Sequence, residues 1–317
     1  MIAPLPTTRA AALPECPGEG RWLIDGLWGA EAVGIVGGEP KCCKSFLALE
    51  LSIAVASGRP CLRRFAVSHP GRVLLFAAED ALHVVRERLL GICAASGTSL
   101  EALDLQVITA PSLRLDQESD RLRLAEAVAS LAPRLLVLDP FVRLHRIDEN
   151  VSGEVAPLLA YLRELQREHH LAVAVVHHSR KGAGKARAGQ ALRGSSEFHA
   201  WGDSNLYLRR TGETLALSIE HRAAPSRTGL PLGLVQRDGA LALELLEPSA
   251  ASGPAANAGT ASERICDALA KSASPLALKE LREACRMRAQ AVSTALALLV
   301  EQGRVLKTGA GYSLAGR

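Results

Sequence analysis

The chain has no apolar run of the length that a membrane span requires, and its first 20 residues, punctuated by Pro4, Pro6, Pro14 and Pro17, hold no signal-peptide core. The expectation is a loose leader over 1–20 on a cytoplasmic protein that makes no use of a membrane. CxxC spacing is also missing. The cysteines, Cys16, Cys42, Cys43, Cys61, Cys93, Cys266 and Cys285, are odd in number and scattered, which argues against a disulfide framework and against a zinc site. They are expected to serve as small buried hydrophobes in a reducing compartment. What the chain has in quantity is core-forming sequence: 48% hydrophobic residues over 317 positions, enough for two domains.

The net charge of +4 is unevenly placed. Beyond Ala261 there are nine Lys/Arg (Arg264, Lys271, Lys279, Arg282, Arg286, Arg288, Arg304, Lys307, Arg317) against five Asp/Glu. The rest of the chain balances, so the excess lies in the last segment, where a polyanion is expected to bind.

The informative stretch is VGIVGGEPKCCKSFLALELSIAVASG, Val33 to Gly58. An apolar strand run ends in a glycine-led turn, and Lys44-Ser45 open an apolar helix that stops at Gly58. That is the order of a P-loop, whose backbone N–H groups and helix N-terminus face phosphates. In this spacing Gly38, Glu39, Pro40, Lys41, Cys42, Cys43, Lys44, Ser45 and Phe46 form the candidate nucleotide-binding segment, with Lys44 reaching the β/γ oxygens and Ser45 holding Mg²⁺. Cys43 stands where the pattern has its second glycine, a position whose tight backbone disfavours a Cβ. Taken alone, the segment is also compatible with an ordinary buried strand-turn-helix.

Further apolar runs alternate with helical stretches. Strands are expected at Arg72–Ala77, Leu103–Thr109, Arg134–Asp139 and Leu171–Val176, and helices at 81–95, 121–131 and 154–168. Continuous apolar strands between helices predict an α/β fold, a mostly parallel sheet covered on both faces. Ligands then sit beyond the carboxyl ends of the strands, where the P-loop, Glu79, Asp139 and His177/His178 converge. Asp139 is placed to support Mg²⁺ with Ser45. Glu79 is the candidate for orienting the attacking water, and its alternative is a surface acid capping the next helix. His177 and His178 point to opposite faces of one strand end; His178 is the favoured γ-phosphate sensor. The basic stretch SRKGAGKARAGQALRGSS carries Arg193 and Lys181, candidates for charge supplied to a neighbouring subunit, or merely a solvated loop.

Shorter strands are expected at Leu206–Leu208, Leu215–Glu220, Gly233–Gln236 and Leu241–Leu245, then a Pro/Ala/Ser/Gly linker over 247–260. The tail from 261 reads as three helices and a hairpin, RVLKTGAGYSLA. Val292, Leu296 and Leu299 give the third helix one buried face, leaving Gln290, Ser293 and Thr294 to read base edges. This is a small winged-helix pattern over 261–317 with Lys307–Tyr312 as its wing. A protein-interaction module built from the same helices is the alternative.

With these residues placed, the chain resembles the RecA-like ATPases of the RepA type, the hexameric replicative helicase group of plasmids and its chromosomal and prophage relatives. The matching pieces are GGEPKCCKSFLALELS, FAAED, LLVLDP, VVHHSRKG and LRGSS, in that order, across 22–245. The resemblance implies a RecA-like P-loop core over 21–246, Mg-ATP, assembly into a ring or hexamer with nucleotide between subunits, and action on DNA. It carries the phosphate role onto Lys44 and Ser45, water direction onto Glu79, the metal onto Asp139 and the sensor onto His178. The arginine finger does not transfer, because its nearest matching position is Asp203; Arg193, Arg209 and Arg210 are substitutes. The expected function is a DNA-associated ring ATPase. A nucleotide-sensing DNA-binding regulator with little hydrolysis is the second expectation, and Cys43 favours it.

Overall fold

The computed structural model describes residues 5–13, 18–178, 197–211, 214–237, 240–246, 261–272, 274–285, 292–293, 295–296, 299–300, 304–308 and 311–315. The chain divides into two compact units, Met1–Glu247 and Pro248–Arg317.

In the first unit a short hairpin, β1 (Trp22–Ile24) and β2 (Trp28–Gly29), leads into β3 (Val33–Gly38) and α1 (Lys44–Ser57). The alternation continues through β4 (Val73–Ala77), α2 (Leu82–Ser96), β5 (Leu105–Val107), α3 (Glu118–Leu131), β6 (Leu135–Asp139), α4 (Ser152–His169) and β7 (Ala172–His178). A short helix α5 (Glu197–Trp201) then precedes β8 (Ser204–Thr211), β9 (Thr214–His221), β10 (Arg227–Arg237) and β11 (Ala240–Leu245). These strands form one nine-stranded sheet in the order β11-β10-β9-β8-β3-β7-β6-β4-β5. Every pair from β8 to β5 is parallel and every pair from β8 to β11 antiparallel, so the sheet is mostly parallel.

The near-continuous apolar strands follow from burial on both faces. Along β4, Val73 and Leu75 enter one core with α1 and α2, while Leu74 and Phe76 enter the other with α3 and α4. β6 divides the same way, Leu135 and Val137 against Leu136 and Leu138. A period of two with no polar face is what a covered parallel sheet demands. Edge strand β5 is shorter than its apolar run predicts, because only Leu105–Val107 find partners on β4. β8 is longer than Leu206–Leu208, because the ladder to β9 continues from Ser204 to Thr211 whatever the side-chain pattern. Trp28 is a core residue whose indole N–H donates to the Ala32 carbonyl at 3.2 Å. β3 and β8 approach so closely that a Cβ on Gly34 would lie 1.6 Å from the Ser204 carbonyl oxygen.

One buried charge interrupts this apolar packing. Glu50, in the middle of α1, is 1% exposed and pairs with Arg63 at 3.0 Å. Burial pushes its carboxyl up to about 7, against the opposing pull of Arg63 and of backbone N–H groups at Leu243 and Leu62. The native state therefore holds a proton between the unfolded value, near 4.5, and about 7 that the unfolded chain releases. Stability is lost over that window as pH rises. Relative to Glu50→Gln, the wild-type chain is expected to lose roughly 2–3 kcal/mol between pH 4.5 and 7.5. Urea midpoints of the two chains across that range check it, and parallel curves would refute it.

The second unit contains α6 (Ala261–Lys271), α7 (Leu278–Ala284), helical residues among 292–300, and a hairpin of β12 (Val305–Thr308) with β13 (Gly311–Leu314). Its own core gathers Ile265, Leu269, Leu281, Val292, Leu296, Leu299 and Val305. Tyr312 bridges back to Leu276, fixing the hairpin to the segment before α7. Of the candidate base-reading residues, Ser293 is exposed, whereas Gln290 and Thr294 lie outside the described residues.

Candidate nucleotide site

Register alone brings the site together. β3 ends at Gly38 opposite His178 of β7, and β4 ends at Ala77 opposite Asp139 of β6. Four neighbouring strands thus release their polar ends on one side of the sheet. There they bound a cleft of roughly 280 Å³, lined by Lys41, Cys42, Cys43, Lys44, Ser45, Phe46, Glu79, Arg88, Asp139, Val176 and His178. Gly38, the buried last residue of β3, and Glu39 and Pro40 after it are not among the lining residues.

The loop has the geometry of an anion cradle. Gly38 (φ 153°) sits where a Cβ would meet the Leu208 carbonyl oxygen at 2.4 Å. Lys41 and Cys43 both take left-handed backbone, at φ 63° and 64°. Cys43 thus accepts the conformation that its glycine counterpart would favour, at a cost of about 1 kcal/mol. It is the N-cap of α1 and makes no side-chain cap, which leaves the first-turn N–H groups to face the cleft. The Lys44 ammonium is buried and donates to the Glu39 carbonyl at 2.8 Å. Burial lowers its pKa, with Cys42, Asp139 and Glu79 pulling the other way.

Opposite the lysine stand the acids. Asp139 is 8% exposed and is pushed up to about 6 by burial, with Asp80 and Glu79 adding repulsion and the neighbouring Ser45 hydroxyl and Lys44 ammonium pulling the other way. A hydroxyl and a buried carboxylate lining one cleft, beside further negative charge, are a donor set that suits a hard divalent cation. Glu79 is exposed at the rim and paired with Arg143 at 3.1 Å. The two histidines of β7 part company. His177 is buried and stacks on Phe198 at 4.1 Å, with Phe141 edge-on at 6.0 Å, whereas His178 is half-buried on the cleft wall.

A family model for the AAA domain matches residues 2–184, well over half of the chain, and spans every residue of this cleft. The chain belongs to the AAA domain family. Among solved structures its fold is similar to an ATPase domain (TM-score 0.53, 14% identity, 69% of this chain against 86% of that one). It is also similar to the RadB recombinase (0.50, 18%, 69% against 92%). A DnaB-like replicative helicase, solved with its interactions with primase, matches at TM-score 0.52 and 13% identity, over 67% of this chain and 57% of that one. The AAA domain here therefore has the RecA-like fold, a P-loop sheet with the cleft at the carboxyl ends of its strands.

Two residues of this AAA domain site carry no mark in the sequence. Arg88, two turns into α2, forms a bidentate pair with Asp80 and lies over the Phe46 ring at 5.3 Å. Arg143, just beyond β6, holds Glu79. Neither differs in spacing or neighbours from the other arginines of its segment. Arg193 and Lys181 lie outside the described residues. Asp203, the position matching the family's finger, is a structural joint: its carboxylate accepts the Val33 N–H and pairs with Arg163 and Arg222.

Proposed function

We propose that the chain is an ATP-binding, Mg-dependent, DNA-associated ATPase of the replicative-helicase type that assembles as a ring. The observation that carries this is the convergence of a buried ammonium, an uncapped helix start, a Ser45–Asp139 pair and a rim carboxylate on one cleft. Lys44 and the first-turn N–H groups of α1 bind the β- and γ-phosphates. Ser45 and Asp139 would hold a magnesium ion, which supplies charge neutralisation on the phosphate oxygens. Glu79 orients water and takes its proton, and His178, across the cleft on β7, reports the γ-phosphate. Arg193 remains a candidate for charge contributed to a neighbouring subunit. Ring assembly and action on DNA come from the resemblance to replicative helicases, and with them a cytoplasmic location.

The second unit is the proposed winged-helix contact to duplex DNA, with β12 and β13 as the wing. Arg304 and Lys307 are exposed there. Exchanging both for glutamate in the full chain is expected to weaken DNA binding at every sequence and to flatten its salt dependence by roughly two phosphate contacts. DNA stimulation of ATP turnover should fall in parallel, with DNA-free turnover unchanged. Unaltered affinity and salt slope would favour a protein-binding role for this unit.

One reading from another class has its own support. In an ATP-sensing regulator with little hydrolysis, a left-handed cysteine in the P-loop and a Glu79 engaged by Arg143 are both tolerable, because only binding is needed.

A further inference from the structure

The P-loop is held by β8 at both of its ends. At the start, Gly38 lies opposite Leu208 in the parallel β3–β8 pair, close enough to exclude a side chain. At the far end, the guanidinium Nη2 of Arg210 donates to Cys43 Sγ at 3.7 Å. Both partners belong to one chain, and Arg210 is otherwise exposed. Cys43 is the residue that departs from the glycine pattern. A glycine would adopt φ 64° with less strain but would offer the arginine nothing to hold.

We infer that Arg210 is a same-chain positioning residue for the bound triphosphate, docked on the P-loop through Cys43, and that the two act as a pair. The inference rests on the ATP reading above. A thiol is a poor acceptor and the contact is solvent-exposed, so it contributes little to folding. Its effect is to stand a planar, permanently charged fork beside the N-terminus of α1, where the field already favours an anion. Phosphate oxygens arriving at the loop are far better acceptors than sulfur, and the guanidinium exchanges one for the other over a short distance. Arg210 then helps to hold the nucleotide in its own chain's site, unlike a residue that reaches across to a neighbour.

The test compares ATP affinity and steady-state kinetics of the full chain in wild type, R210A, R210K, C43G and the C43G/R210A double variant. R210A is expected to raise both Kd and KM for ATP roughly ten-fold with kcat changed less than about two-fold, and R210K to restore part of the affinity. In the C43G background the same arginine change should shift affinity less than about two-fold, because the dock is already absent. An R210A chain with wild-type affinity, or an equal loss in both backgrounds, overturns the pairing. Mixing R210A with K44A chains at low ATP should give no more than the sum of their separate activities. Activity above that sum would assign Arg210 to a neighbouring chain. If the wild-type chain binds no ATP, the functional reading itself fails; if it binds ATP and R210A binds equally, only this inference does.

Discussion

Lys44→Ala is expected to abolish ATP binding at millimolar nucleotide and to reduce turnover by roughly 10³-fold. The reason is geometric as well as electrostatic. The ammonium is 5% exposed, held over the loop by the Glu39 carbonyl, and is the cation that α1 delivers into the cleft. No water-exposed lysine elsewhere can replace a charge that is already desolvated and aimed. The same burial makes the variant a clean one. Keeping an ammonium out of water is unfavourable, as the lowered pKa of Lys44 reflects, so its removal should leave the apo chain at least as stable. The paired measurement is the melting temperature with and without Mg-ATP: wild type should rise on adding nucleotide, and the variant should match or exceed the wild-type baseline with no rise. A nucleotide-dependent rise that survives in Lys44→Ala would place the ligand elsewhere.

Glu79→Gln should separate binding from chemistry. Glu79, two residues beyond β4, stands at the rim of the cleft that Lys44 also lines, and its carboxylate engages Arg143. An ion pair this exposed contributes about 0–1 kcal/mol, so the fold should not register its loss. Turnover should, by roughly 10²-fold or more, since an amide cannot take a proton from the attacking water. ATP affinity should hold or improve slightly, because one negative charge near the phosphates has been removed. Wild-type turnover in the variant would move the water-directing role to another group. If the wild-type chain binds ATP but scarcely turns it over, the regulator reading displaces the ATPase, and Glu79→Gln then changes nothing.

The fold and most of the cleft were legible because each rests on a local rule. Apolar runs without polar alternation mean strands covered on both faces, and β3, β4, β6 and β7 are such runs. A carboxylate or histidine at or just past the end of one of them must stand beyond the carboxyl ends of the strands, which is why Asp139, Glu79 and His178 were nameable beforehand. The alternation of His177 and His178 likewise anticipated one inward and one cleft-facing ring. Strand lengths at the margins were less legible. Pairing, not composition, sets them, so β5 shrank and β8 grew.

The arginines were the least legible. Arg88 and Arg143 sit in polar segments of no distinctive spacing, Arg210 was nameable only as a substitute finger and without its partner Cys43, and a long flexible side chain declares its partner only when distant elements are brought together. Glu50 is the opposite case: a lone acid in an apolar helix reads as an exception, yet its proton affinity depends on Arg63 and on the strands that seal it from water.

By itself the sequence determined the order of strand, loop and helix, the P-loop lysine and serine, the acids closing two strands, and the basic bias of the tail. Those follow from periodicity, turn chemistry and charge, which act over a few residues. Only the tertiary structure decided which cations face the cleft, which acid is buried enough to keep its proton toward neutral pH, and that Cys43 meets Arg210. Such matters depend on distance and desolvation between groups far apart in the chain, and those exist only after the sheet has closed.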